Sequence, residues 1–201
     1  EAQGVKIGIV GFLTQYIPHW EKPSIIKDLT FQSILTTAKD ILPDLRQSVD
    51  LLIVAYHGGF ERDLQTGLPT ESLTGENEAY QLVEEYKDYI DALVTGHQHR
   101  EIADHLFGVP VIQPGYRGAF VGEIELELDN HKKVVASNAR LHKTENCKVS
   151  SEVNQLISVV SEEAEDWLDQ PMGEVHGEMI IRDPMTARLI EHPYIESVSY
   201  T

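Results

Sequence analysis

The chain is poor in positive charge, carries one cysteine and has no long apolar run. Sixteen Lys and Arg stand against 33 Asp and Glu, a net charge of −17 over 201 residues. A protein that grips a nucleic-acid backbone shows a basic stripe, so this balance excludes a general polymer binder. A small phosphate-bearing substrate is not excluded, because divalent cations invert the field of an acidic site. The single Cys147 excludes an internal disulfide framework. No apolar run approaches the roughly 20 residues that a membrane-spanning helix needs. The opening Glu1-Ala2-Gln3-Gly4 has neither a basic segment nor a signal-type apolar core. The expectation is a cytoplasmic chain that engages no membrane, with export after loss of an upstream signal as the alternative.

What is present reads as alternating strands and helices. Val5 to Val10 alternates apolar with small or polar residues and ends at Gly11, as a strand does. Residues 12–30, with Pro18 and Pro23, read as irregular. Apolar residues at helical spacing predict a helix over 31–46, capped by Asp28 or Thr30, with Pro43 ending or kinking it. A strand over 51–56, a helix over 76–86 capped by Thr74, and a strand over 90–95 follow. This order predicts a largely parallel sheet. Further strands are expected over 109–112, 120–128 and 133–141, the last two joined at Asp129-Asn130-His131 in an antiparallel hairpin or meander. A helix is expected over 150–168, then a strand over 175–181 and a helical start near Met185.

Three histidines stand just past apolar runs. Leu51 to Tyr56 runs into His57-Gly58-Gly59, and Ile90 to Thr95 runs into Gly96-His97-Gln98-His99. In open α/β sheets, ligands bind beyond the carboxyl ends of such strands. If the segment stays extended, His97 and His99 share a face. Imidazoles delivered to one place favour Mn, Zn, Fe, Co or Ni over Mg or Ca. His19, His105, His131, His142, His176 and His192 lie in no such context and read as solvent-facing. Arg62, Arg100 and Arg117 stand near these motifs in the sequence and are candidates to touch phosphate, although surface placement is the simpler reading; Asn77 reads either as orienting a ligand or, more simply, as a helix cap.

Tyr56-His57-Gly58-Gly59 and Gly96-His97-Gln98-His99 resemble the last two motifs of the calcineurin-like metallophosphoesterases. Residues 11–20, Gly75 to Tyr80, Thr95 to Arg100 and Gly108 to Gly115 resemble the bacterial 5′-nucleotidase / 2′,3′-cyclic phosphodiesterase branch. The resemblance implies part of a four-layer α-β-β-α sandwich with a mixed sheet. It implies the second half of the catalytic domain over 1–145, then a linker helix and the start of a C-terminal domain over 146–201. Thr186 to Glu191 resembles that domain's opening.

By the same resemblance, His57 and His97 ligate one divalent metal and His99 a second, and the pair hydrolyses nucleotide phosphate esters. The substrate is a small nucleotide. The family's opening D-x-H strand end, G-D-x-x-D and G-N-H-D/E motifs do not occur ahead of His57. The expectation is that they precede Glu1, that no catalytic acid lies in this chain, and that the chain alone is inactive. The alternatives are an incomplete or non-catalytic metal-binding fragment, or a metallophosphoesterase acting on another phosphoester.

Overall fold

The computed structural model describes residues 4–171. Two units divide the chain, 1–147 and 148–201. In the first, five strands form one sheet: β1 (Ile7–Leu13), β2 (Leu51–His57), β3 (Ala92–Thr95), β4 (Glu101–Leu106) and β5 (Val109–Pro114), in the order β1-β2-β3-β5-β4. The first four positions are parallel and β4 runs antiparallel to β5, so the sheet is mixed and mostly parallel. Strands β6 (Phe120–Leu128) and β7 (Val134–Lys143) pair as a separate antiparallel hairpin.

Helix α1 (Pro23–Ile26) is one turn. Helices α2 (Ile34–Ser48) and α3 (Ala79–Tyr86) cover one face of the large sheet. Alternation along β2 explains the core. Leu52, Val54 and Tyr56 all point into a buried cluster with Ala38 and Leu42 of α2 and Leu82 and Val83 of α3. Strand β5 is buried on both faces: Val109 and Val111 join that cluster, while a Cβ on Gly122 of β6 would meet Ile112 Cδ1 at 2.7 Å. The hairpin therefore lies on the face of β5 opposite the helices. In the second unit, α4 (Ser151–Leu168) is capped by Ser150, whose hydroxyl accepts from Val153 N.

Several boundaries differ from the sequence reading, each for a local reason. Helix α2 starts at Ile34 because Ser33, not Asp28 or Thr30, caps it, its hydroxyl accepting from Thr36 N. Pro43 stays inside α2. Helix α3 starts at Ala79, not Glu76, and Thr74 does not cap it. The buried carboxylate of Glu61 accepts from Tyr80 N at 3.0 Å and Gln81 N at 2.9 Å and so satisfies the first turn from a distant loop. Strand β4 was not expected, and neither was the 3₁₀ turn Ile17–His19 inside the stretch read as irregular. The hairpin turn falls where expected: Asp129 Oδ1 accepts from the N–H groups of His131 and Lys133. The strand over 175–181, the helical start near Met185, and Thr186 to Glu191, with His176 and His192, lie outside the described residues.

Candidate active site

The carboxyl ends of β1, β2, β3 and β5 gather four loops, and these carry the candidate residues. The chain leaving β1 is tied to the end of β2, since Thr14 N donates to His57 O at 3.1 Å. The buried Thr14 hydroxyl donates to Glu76 O at 2.7 Å, which brings the segment before α3 to the same place. Tyr56 OH donates to the same carbonyl at 3.3 Å, and burial raises its pKa above the ordinary phenolic range. The loop after β3 is tied to the loop after β2, with Gly96 N donating to Gly58 O at 3.2 Å.

His57 and His97 come together, their ring centroids 5.4 Å apart and edge to face. His97 Nε2 lies 2.9 Å from Glu76 Oε1. Trp20 lies over His97 at 5.1 Å between centroids. His99 is placed differently, stacked on Tyr116 at 5.2 Å. The expectation that His97 and His99 continue an extended segment fails. Both have positive φ, 68° and 58°, so the chain turns sharply at each and strand alternation does not relate them. Non-glycine residues in this region cost on the order of 1–3 kcal/mol each, and they persist where surrounding structure over-determines them.

A cleft of about 690 Å³ opens here, lined by Thr70, Glu71, Glu76, Asn77, His97, Gln98 and Arg100. Of the three candidate arginines, Arg100 lines it. Arg62 donates to Gly67 O at 3.1 Å, and Arg117 lies over the Tyr116 ring. Asn77 is buried but does not cap α3; its Oδ1 accepts from Gly59 N at 2.6 Å. His19, His105, His131 and His142 are exposed, as expected. Glu61, Glu71, Glu76 and Gln98 are site-forming residues that the sequence reading did not single out. The position of Glu76 just ahead of an apolar helical run was the available signal for one of this set.

Glu78 stands behind the site. Gln15 Nε2 donates to its Oε2 at 3.0 Å. Burial first, and then repulsion from Glu61, raises its pKa from 4.5 to about 7. Burial likewise raises Glu61 above the usual carboxylate range.

The donor chemistry here is that of a transition-metal site, with imidazole nitrogens and a carboxylate. Among the described residues, however, no group of three or more His, Cys, Asp or Glu is arranged to hold a metal ion. Among the described residues this cluster therefore falls short of a complete metal donor set.

No family model matches the chain. Over 143 residues, 64% of this chain and 21% of the relative, it is 31% identical to a 2′,3′-cyclic-nucleotide 2′-phosphodiesterase/3′-nucleotidase of Salmonella typhimurium. Over 142 residues, 63% of this chain and 9% of the relative, it is 28% identical to a trifunctional nucleotide phosphoesterase of Bacillus subtilis. A crystal structure from Staphylococcus aureus, described as a candidate 5′-nucleotidase, superposes with a TM-score of 0.80 at 38% identity. It covers 96% of this chain and 38% of that one. The chain thus spans only about a tenth to a fifth of these two curated relatives.

Fold, motifs and relatives together define a metallophosphoesterase-type α/β chain with a mostly parallel sheet. More narrowly, the nucleotidase and phosphodiesterase relatives and the Staphylococcus aureus structure support a 5′-nucleotidase-like branch.

Proposed function

We propose that the protein containing this chain hydrolyses nucleotide phosphate esters, as a 5′-nucleotidase or a 2′,3′-cyclic-nucleotide phosphodiesterase, with two divalent metal ions. The observation that carries this reading is the meeting of His57 and His97 at the ends of adjacent parallel strands, beside Glu76 and a polar cleft. The names of the relatives support the substrate class.

In this reading His57, His97 and His99 are the imidazole donors this chain contributes, and residues outside this sequence complete the set. Bound metals of this kind polarise a phosphoryl oxygen and lower the pKa of a water nucleophile. The chain's own groups do the rest of what can be assigned to it. Glu76 holds His97 in one orientation, and Arg100 faces the cleft, where a cation attracts a phosphate ester. The metals are drawn from Mn, Zn, Fe, Co and Ni, as imidazole donors favour.

The test is phosphate release from 5′-AMP, 3′-AMP and 2′,3′-cyclic AMP by the full-length protein with Mn²⁺ or Zn²⁺. Activity that falls at least 100-fold in His97→Ala supports the reading, on the scale seen when groups central to catalysis are removed (~10²–10⁴). Unchanged activity in that variant refutes it. The lack of a three-donor group among the described residues favours a second reading, a non-catalytic metal-binding module. Metal binding without turnover on any phosphoester would select it.

A further inference from the structure

Two side-chain amides clamp the loop that follows His57, and one carboxylate fixes the orientation of both. Gln98 Oε1 accepts from Phe60 N at 2.9 Å, and its Nε2 donates to Phe60 O at 3.0 Å. Asn77 Oδ1 accepts from the neighbouring Gly59 N at 2.6 Å. An N–H of each amide also reaches Glu71: Gln98 Nε2 donates to Oε2 at 2.9 Å, and Asn77 Nδ2 to Oε1 at 2.8 Å. An ionised carboxylate accepts at both oxygens and donates at neither. Glu71 therefore permits only the amide orientations that present Oε1 of Gln98 and Oδ1 of Asn77 to the backbone N–H groups.

The placement of this unit matters. Gln98 lies between His97 and His99, whose backbones are both in the left-handed region. Such strain holds only if the intervening residue is anchored. Gln98 anchors it, and it does so against the residues immediately after His57-Gly58. The approach is close: a Cβ on Gly59 would meet Gln98 Oε1 at 2.1 Å, so only glycine admits the amide.

We infer that Glu71 is a positioning residue: by setting both amides, it fixes the loop of His57 against the loop of His97 and His99. The inference rests on the proposed metallophosphoesterase function for its consequence, though not for its geometry. Partners that orient metal-binding histidines typically change affinity or activity by about 10- to 100-fold when removed.

The experiment exploits hydrogen-bond polarity. Glu71→Gln keeps the size but turns one acceptor into a donor, so one amide must flip or lose its partner. Adding Asn77→Asp restores every bond. The carboxylate at 77 accepts from Gly59 N and from the new amide at 71, whose oxygen accepts from Gln98, and net charge returns to its starting value.

In the full-length protein, amide hydrogen exchange at Gly59 and Phe60 is measured beside Mn²⁺ affinity. The expected result for Glu71→Gln is exchange at one of these groups faster by roughly 2- to 10-fold, the equivalent of one hydrogen bond. Mn²⁺ binding should weaken by about 10- to 100-fold. The double variant should recover most of both. Unchanged exchange in Glu71→Gln, or no recovery in the double variant, overturns the inference. If the parent protein binds none of Mn²⁺, Zn²⁺, Fe²⁺, Co²⁺ and Ni²⁺, the proposed function falls, and the exchange measurements still decide the clamp.

Discussion

The Nε2 atom of His97 is held 2.9 Å from Oε1 of Glu76, while the backbone carbonyl of the same Glu76 receives the hydroxyls of Thr14 and Tyr56. One residue thus joins the ends of β1 and β2 through its main chain and orients the imidazole after β3 through its side chain. Replacing only the side chain separates the two roles. Glu76→Ala is expected to weaken divalent-metal binding by the full-length protein about 10- to 100-fold. Its melting temperature should stay close to that of the parent, since the carbonyl contacts remain. Isothermal titration with Mn²⁺ and thermal unfolding check the two halves; unaltered affinity would count against the orienting role.

Gly59 is a steric requirement of the site. A methyl group there meets the Gln98 amide well inside van der Waals distance, at 2.1 Å from Oε1 and 2.3 Å from Cδ. Gly59→Ala should cost about 1–3 kcal/mol, the usual range for overpacking a tight contact. Denaturant unfolding measures this, and a change below 0.5 kcal/mol, roughly the range of ordinary surface substitutions, would show that Gln98 moves aside freely.

Gln113 is fully buried near the end of β5, and its two amide atoms are used. Oε1 accepts from Arg100 N at 2.7 Å and Nε2 donates to Thr95 Oγ1 at 3.2 Å. Gln113→Leu preserves bulk and leaves Arg100 N without its partner. An unsatisfied buried donor costs about 1–3 kcal/mol. Denaturant unfolding should show that loss, and neutrality would mean that Arg100 N regains a partner by a shift of the loop.

Glu78 predicts a pH dependence. Its folded pKa is raised from 4.5 to about 7, chiefly by burial, with Glu61 and Glu85 adding repulsion and Gln15 opposing it by a hydrogen bond. Where the folded pKa is the higher one, the folded state binds the extra proton. The contribution of Glu78 to stability is therefore fully present below about 4.5 and is lost as pH rises through about 7. Glu78→Gln removes this titration. The variant should gain stability relative to the parent between pH 5 and pH 8, followed by thermal melts at each pH. A difference between the two that stays constant with pH contradicts the assignment.

The legible parts of the fold were those with strong local pattern. The apolar runs at 51–56 and 90–95 became β2 and β3, and the alternation of Ile124, Leu126 and Leu128 became β6. The candidate histidines stand out for the same reason, since strand ends in an open α/β sheet point to ligands. Strand β4 was not, because Glu101-Ile102-Ala103-Asp104-His105-Leu106 owes its conformation to pairing with β5 rather than to its own composition.

Local signals favour Thr74 as the start of α3, but the first turn is satisfied by Glu61, 19 and 20 positions before the N–H groups it accepts from. The same limit hid Glu71 and Gln98. Their importance lies in contacts made between loops, and no periodicity in the chain encodes them. The turn of backbone at His97 and His99 was hidden as well, because positive φ at a non-glycine residue is imposed from outside the segment.

The central claim is that His57, His97 and His99 are metal ligands of a nucleotide phosphoesterase. Metal content and Mn²⁺ affinity of the full-length protein should be measured in His57→Ala, His97→Ala and His99→Ala, with the exposed His142→Ala as control. Each of the three should lose metal while the control retains it. Full metal content in the three variants, or equal loss in the control, would contradict the account.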